Sequence, residues 1–241
     1  VEAAITKETV LISLMYANNE IGTVNPIKEI AAIAKKHNVL FHTDACQAGA
    51  YLNLNVQELG VDLLSLNGSK FYGPKGTGCL YKKTGVPLHP LIHGGGQEHG
   101  FRSGTENVAG IVGFAAALEL AQQRKEKEIT HLITLRDMLI KGILATIPST
   151  TLNGHPTHRL PNNVNITFQS IEGQALLIVL NEHGIAASAG SACTSKTWTP
   201  SNVNKWLGKS ETDAHSTIRF TLGHETTEKD ISSILKILRE S

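Results

Sequence analysis

The feature that most constrains the fold is an alternation of short apolar, β-branched runs with segments of helical periodicity. Residues 9–15 read as a buried strand, and a polar loop, residues 17–22, follows it. Asn25-Pro26 predicts an N-cap with proline at the first helical position, and Ile27, Ile30, Ala31 and Ala34 keep helical spacing to about His37. Residues 39–42 are the next strand, Gln47 onward a short helix, and residues 61–66 another strand. Residues 78–81 read as a strand after the turn Gly73-Pro74-Lys75-Gly76. Such alternation predicts an α/β fold with a parallel or mixed sheet covered on both faces. Ligands of these folds gather beyond the carboxyl ends of strands. Asn19, Asp44 and Lys70 all lie just past predicted strands.

The second half reads differently. Residues 107–147 are almost continuously helical with a charged break at 122–128, and a domain boundary is placed near that break. A strand over 163–168, a helix over 174–183 stopped by Gly184, a loop around Cys193 and a strand over 217–222 follow. The last helix opens on Thr227 and Asp230, a capping-box variant, and carries Ile231, Ile234, Leu235 and Leu238 on one face. These elements form a small α+β domain.

Composition excludes several classes. With 22 basic and 21 acidic residues the net charge is +1, so no field favours nucleic acid or an anionic membrane as a partner. No run approaches the roughly 20 apolar residues that span a bilayer, and the opening residues do not read as a signal peptide. Cys46, Cys79 and Cys193 form no Cys-x-x-Cys pair, and the 11 histidines form no zinc-type cluster. No metal is therefore expected, and a reducing cytoplasm is the expected location.

Two segments carry chemistry. His42-Thr43-Asp44-Ala45-Cys46-Gln47 offers a carboxylate at a strand end with an amide three residues on. Residues 67–76 offer Lys70 beside a glycine-rich turn with small polar neighbours. Pyridoxal 5'-phosphate (PLP) needs such a set: a lysine amine to hold it, a carboxylate to keep its pyridine nitrogen protonated, and donors for its phosphate. Singly, an aspartate after a strand is usually a loop cap and a lysine in a turn a solvated charge. Their order on successive strand ends strengthens the cofactor reading without deciding between the two.

The motifs His-Thr-Asp-Ala-x-Gln-Ala (42–48), Gly-x-Lys-Phe-Tyr-Gly-Pro-Lys-Gly (68–76), Gly94-Gly95-Gly96-Gln97-Glu98 and Arg102-Ser103-Gly104-Thr105-Glu106-Asn107 occur in that order. The chain resembles the NifS/IscS-type cysteine desulfurases, of the class-V aminotransferase group of fold-type I PLP enzymes. The resemblance implies an aspartate-aminotransferase-like large-domain remnant over 1–125 with a mostly parallel sheet. It implies a small C-terminal domain over 126–241 carrying the catalytic cysteine. By the same resemblance Lys70 forms the Schiff base with PLP, Asp44 partners the pyridine nitrogen and Gln47 bonds the phenolic oxygen. Asn19 lies beside ring and substrate, and Thr105 reaches the cofactor phosphate of a second subunit, which implies a homodimer. Arg219 clamps the substrate carboxylate, a role suited to its bidentate fork.

Cys193 lies among Gly, Ser, Ala and Thr, which suit an exposed loop better than a core. In the resembling family the cysteine of Ser-Ala-Cys-Thr-Ser attacks the sulfur of L-cysteine, leaving a persulfide and L-alanine. The stretch after it resembles desulfurases that pass sulfur to an iron–sulfur scaffold. Cys79 is expected to be buried and inert, and Cys46 to pack near the ring.

The chain also departs from the family. Asn67 and Ser69 stand where the family often has Ser and His; both, with Gly68, are expected at the phosphate. The family's threonine-containing phosphate loop and ring-stacking histidine are not found here, so the N-terminal part is expected to be what is lacking. Two further readings stand beside the desulfurase: a selenocysteine lyase, and a catalytically incomplete fragment that acts only with a partner chain.

Overall fold

A computed structural model describes residues 1–169, 171–190 and 201–240. It divides into two compact units, 1–16 with 26–124, and 17–25 with 125–241.

In the first unit, β1 (Leu11–Met15), β2 (Leu40–Asp44), β3 (Leu63–Asn67) and β4 (Gly78–Lys82) form one sheet in that order. The first three strands run parallel and β4 is antiparallel to β3. This is the mostly parallel sheet expected for the first part of the chain. Helix α1 (Ile27–Lys36) buries Ile27, Ile30, Ala31 and Ala34, the stripe that the periodicity predicts. It begins one residue later than expected, because the ψ of 75° at Pro26 leaves that residue outside the helix. The helix expected from Gln47 is instead a run of turns over 46–51. Regular helix returns at α2 (Val56–Leu59), capped by Asn55, whose side chain accepts from the N–H groups of Gln57 and Glu58.

Helix α3 (Val108–Thr146) runs 39 residues without interruption. The charged run at 122–128 does not break it, since Gln, Arg, Lys and Glu are all strong helix formers. The division between units falls inside it, at 124/125.

In the second unit, β5 (Thr150–Leu152), β6 (Asn163–Phe168), β7 (Ser188–Ala189) and β8 (Thr217–Thr221) form a sheet in the order β5-β6-β8-β7, antiparallel throughout. Helices α4 (Gly173–Glu182), α5 (Asn202–Trp206), α6 (Glu211–His215) and α7 (Glu228–Glu240) complete it. The cap predicted for α7 forms: Thr227 donates N–H and Oγ1–H to Asp230 Oδ2 at 2.8 and 2.7 Å, and Asp230 N–H returns to Thr227 Oγ1 at 3.3 Å. The core is built on Leu132, Leu135, Leu139 and Ile143 of α3, Ile166 of β6 and Ile218 of β8.

Every residue of β6 is buried, on both faces. Alternation puts Val164, Ile166 and Phe168 on one face and Asn163, Asn165 and Thr167 on the other. The polar face is satisfied from within, by Asn153 Nδ2–H to Asn165 Oδ1 at 2.7 Å and a Thr167–Thr217 hydroxyl pair at 2.9 Å. Among the described residues no helix is long and apolar enough to cross a membrane. Among the same residues no group of three or more His, Cys, Asp and Glu is placed to hold a metal.

Candidate active site

Asp44, Gln47, Asn67, Gly68, Ser69, Lys70 and Thr105 lie in the first unit; Asn19 and Arg219 lie in the second. Cys193 falls outside the described residues.

Asp44 is the last residue of β2, and its backbone is fixed from the end of the adjacent strand: Tyr16 N–H, just after β1, donates to its carbonyl at 2.8 Å. Its Oδ1 accepts the N–H of Cys46 at 2.9 Å, bending the chain into the turn that carries Gln47. That turn is held from α3 by Gln122 Nε2–H on the carbonyl of Gly49 at 2.7 Å. Two residues before Asp44, and on the same face by alternation, His42 sits between hydroxyls. Its Nδ1 is 2.7 Å from Ser13 Oγ and its Nε2 2.9 Å from Ser65 Oγ. Burial pushes the His42 imidazole below its ordinary pKa, and the charge of Asp44 opposes the shift.

Lys70 stands exposed in a 3-10 turn, Gly68–Phe71, that leaves β3. Asn67 caps this turn, its Oδ1 accepting from Ser69 N–H at 3.1 Å and Ser69 Oγ–H at 3.0 Å. Gly68 is needed for packing: a methyl group there would press on the Thr77 hydroxyl and come within 3.0 Å of Phe114 and 3.2 Å of the Pro74 carbonyl. Tyr72 closes the turn in the left-handed region, with φ of 66°, an uncommon conformation for a bulky residue. Asn67 and Ser69 therefore shape the lysine turn through their own contacts, and Thr105 lies exposed in the loop before α3.

The Cys46 thiol reports on both halves of this arrangement. Its pKa is pushed up to about 12, first by burial, then by a hydrogen bond to Asp44 and that carboxylate's charge; the Lys70 ammonium opposes them. A carboxylate and an amine thus both act on one half-buried thiol at adjacent strand ends. Cys79, expected to be buried, is exposed instead, because it stands on edge strand β4, whose first three residues are all open.

In the second unit, Arg219 of β8 donates from Nη1 to the carbonyl of Asn19 at 2.7 Å, joining the two residues expected at the substrate. The loop at 17–25 turns on the Asn18 side chain, whose Oδ1 accepts from Glu20 and Ile21 N–H at 2.9 and 3.0 Å. Gly22, at φ of 74°, lies so close to Asn163 that a Cβ would meet its side chain at 2.6–2.8 Å. Asn163 and Asn165 both donate to the carbonyl of Glu20, at 2.9 and 3.0 Å. Arg159 donates to the carbonyls of Ile21 at 3.2 Å and Asn153 at 3.1 Å. Burial and the nearby Arg136 lower the Arg159 pKa to about 10, still charged at neutral pH. The buried Glu20 carboxylate accepts from Ser201 Oγ–H. Sequence reading missed Glu20, Arg159, Asn163 and Asn165. Their signal was present in two asparagines spaced i, i+2 on one face of an otherwise apolar strand, where buried amides must find partners.

The family model for class-V aminotransferases matches residues 1–234. The chain belongs to that family. Among curated relatives of this class-V chain, the cysteine desulfurase IscS of Methanosarcina thermophila is 52% identical over 237 residues, covering 98% of this chain and 58% of that protein. IscS of Dictyoglomus turgidum is 49% identical, covering 98% and 60%. Among solved structures, a NifS-like protein superposes with a TM-score of 0.90 at 36% identity, covering 99% of this chain and 62% of that one. SspA in complex with cysteine gives 0.75 at 36% identity, covering 94% and 62%.

The chain therefore spans about three-fifths of the length of the curated relatives it matches. The expectation that the N-terminal part is what is lacking is corrected by these figures. The matches run through 98–99% of this chain and 58–60% of the relatives, which measures a shortfall without placing it before Val1.

PLP is the cofactor of the class-V family, and the first unit fits it by the chemistry of its donors. A carboxylate fixed at the end of β2 and an exposed amine in the capped turn leaving β3 lie beyond the carboxyl ends of adjacent parallel strands.

Proposed function

We propose that this class-V chain carries the chemistry of a PLP-dependent cysteine desulfurase, converting L-cysteine to L-alanine and leaving the sulfur as a persulfide on Cys193. The observation that carries this reading is that Asp44 ends β2 and Lys70 stands in the turn leaving β3, so the candidate carboxylate and amine lie beyond the carboxyl ends of two adjacent parallel strands. When bound, the cofactor supplies an electron sink for the α-carbon of the amino-acid substrate. Lys70 holds it, and Asp44 keeps its ring nitrogen protonated. Gln47, on the turn braced by Gln122, donates to its phenolic oxygen. Asn67, Gly68 and Ser69 shape the lysine turn and border the phosphate, and Thr105 serves the phosphate of a second copy in a homodimer.

Arg219 receives the substrate carboxylate through its guanidinium fork, beside Asn19. Cys193 takes the sulfur: the carbon–sulfur bond of L-cysteine breaks, a sulfur–sulfur bond forms, and the carbon receives a proton to give alanine. The identity with IscS proteins and the likeness to SspA in complex with cysteine support this substrate. They favour a role in supplying sulfur to an acceptor, such as an iron–sulfur scaffold protein.

The test uses the full-length protein loaded with PLP. Lys70→Ala is expected to abolish the visible cofactor absorbance and alanine release from L-cysteine. Cys193→Ser is expected to keep the absorbance and lose alanine release. Retention of both signals in Lys70→Ala overturns the assignment.

A further inference from the structure

Three consecutive main-chain carbonyls, of residues 19, 20 and 21, are each held by side chains of the second unit. Arg219 takes the first, Asn163 with Asn165 the second, and Arg159 the third. Asn165 is the centre of this rack. It is fully buried, and it stands directly opposite Arg219 in the β6–β8 register, so the two side chains share a sheet face with their Cβ atoms roughly 5 Å apart. Its amide orientation is fixed from behind, because Asn153 Nδ2–H occupies Oδ1 at 2.7 Å and so turns Nδ2 towards the Glu20 carbonyl at 3.0 Å. The side chain facing Arg219 across the pair is therefore neutral and already committed. A carboxylate of the same shape at this position would pair with the guanidinium across the strands.

We infer that Asn165, supported by Asn163, is a positioning residue for carboxylate recognition. It fixes the Glu20 main chain, so that the adjoining Asn19 carbonyl meets Arg219. Its amide is neutral, whereas a carboxylate there would compete for the guanidinium that the Asn19 carbonyl orients. The inference rests on the desulfurase reading given above.

The experiment compares L-cysteine with L-cysteine methyl ester, which lacks the charged carboxylate, on the full-length PLP-loaded protein. Asn165→Asp removes the donor and adds a charge without changing shape. It is expected to raise KM for L-cysteine about tenfold while KM for the ester moves less than about twofold, with cofactor absorbance unchanged. Equal changes for both compounds, or an unchanged KM for L-cysteine, overturn the inference, because a merely structural role does not distinguish the two. Should Asn165→Asp fail to fold, Asn165→Ala is read the same way: a KM rise confined to L-cysteine supports the role, and an equal rise overturns it. If the unsubstituted protein makes no alanine from L-cysteine, the desulfurase reading itself falls and the inference falls with it.

Discussion

Cys46 lies under opposing influences from Asp44 and Lys70, and the carboxylate together with burial prevails. A thiol held up to about 12 has little thiolate at neutral pH, and thiolate is the reactive form. In a Cys79→Ser, Cys193→Ser background, Cys46 is expected to alkylate at pH 8 roughly a hundredfold more slowly than an ordinary thiol, the higher nucleophilicity of its thiolate offsetting part of the deficit. Timed iodoacetamide labelling with mass detection checks this. His42 gives a second expectation at this scale. Its pKa is lowered in the folded state, so the unfolded chain binds the proton more readily. Stability therefore falls as pH drops below the unfolded value of about 6.5, towards the lower folded value. Thermal melting between pH 7.5 and 5.5 is expected to show this loss, and His42→Gln to reduce it. A loss of equal size in His42→Gln would remove the histidine from the explanation.

At the scale of elements, α3 and the loop at 17–25 show where a sequence speaks and where it stays silent. Strand β6 was legible to the residue, because its β-branched run is bounded by turn residues, and α1 was legible through its buried stripe. The positions of Asp44 at the end of β2 and Lys70 just beyond β3 were legible, because both strands announce themselves as short apolar runs. The charged run of α3 misled, since charge marks solvent exposure and not the end of a helix. The rack on residues 19–21 was not legible, because it joins residues far apart in the chain through main-chain carbonyls that carry no side-chain signature. The brace from α3 to the turn at 46–51 is equally non-local. Gln122→Ala is expected to lower stability by about 1 kcal/mol, the worth of one hydrogen bond. It should also speed amide exchange at 46–52, measured by hydrogen–deuterium exchange. Unchanged protection there would mean that the bond does not steady the turn.

For the whole molecule, the governing fact is length: the chain spans about three-fifths of its curated relatives. Large apolar side chains stand open on it, Val10 at 77%, Leu91 at 95%, Val108 at 65% and Val112 at 62%. Val108, Ile111 and Val112 lie at helical spacing on the first turns of α3 and make one apolar stripe. Exposed stripes of this kind drive association. The 241-residue chain expressed by itself is expected to self-associate, and Val112→Lys to reduce that, as read by light scattering after size-exclusion chromatography. A monodisperse monomer at tens of micromolar would contradict it, on the order of the concentrations where exposed apolar surface aggregates.

The central claim is that sulfur leaves the substrate for one particular thiol. Full-length PLP-loaded protein is mixed with one equivalent of L-cysteine, quenched with an alkylating agent and digested, and each cysteine peptide is weighed while alanine is counted. The expected result is one added sulfur on the Cys193 peptide, matched by one alanine, with the Cys46 and Cys79 peptides unaltered. Alanine formed with the extra sulfur on Cys46 or Cys79, or with no sulfur retained on any cysteine, would contradict it.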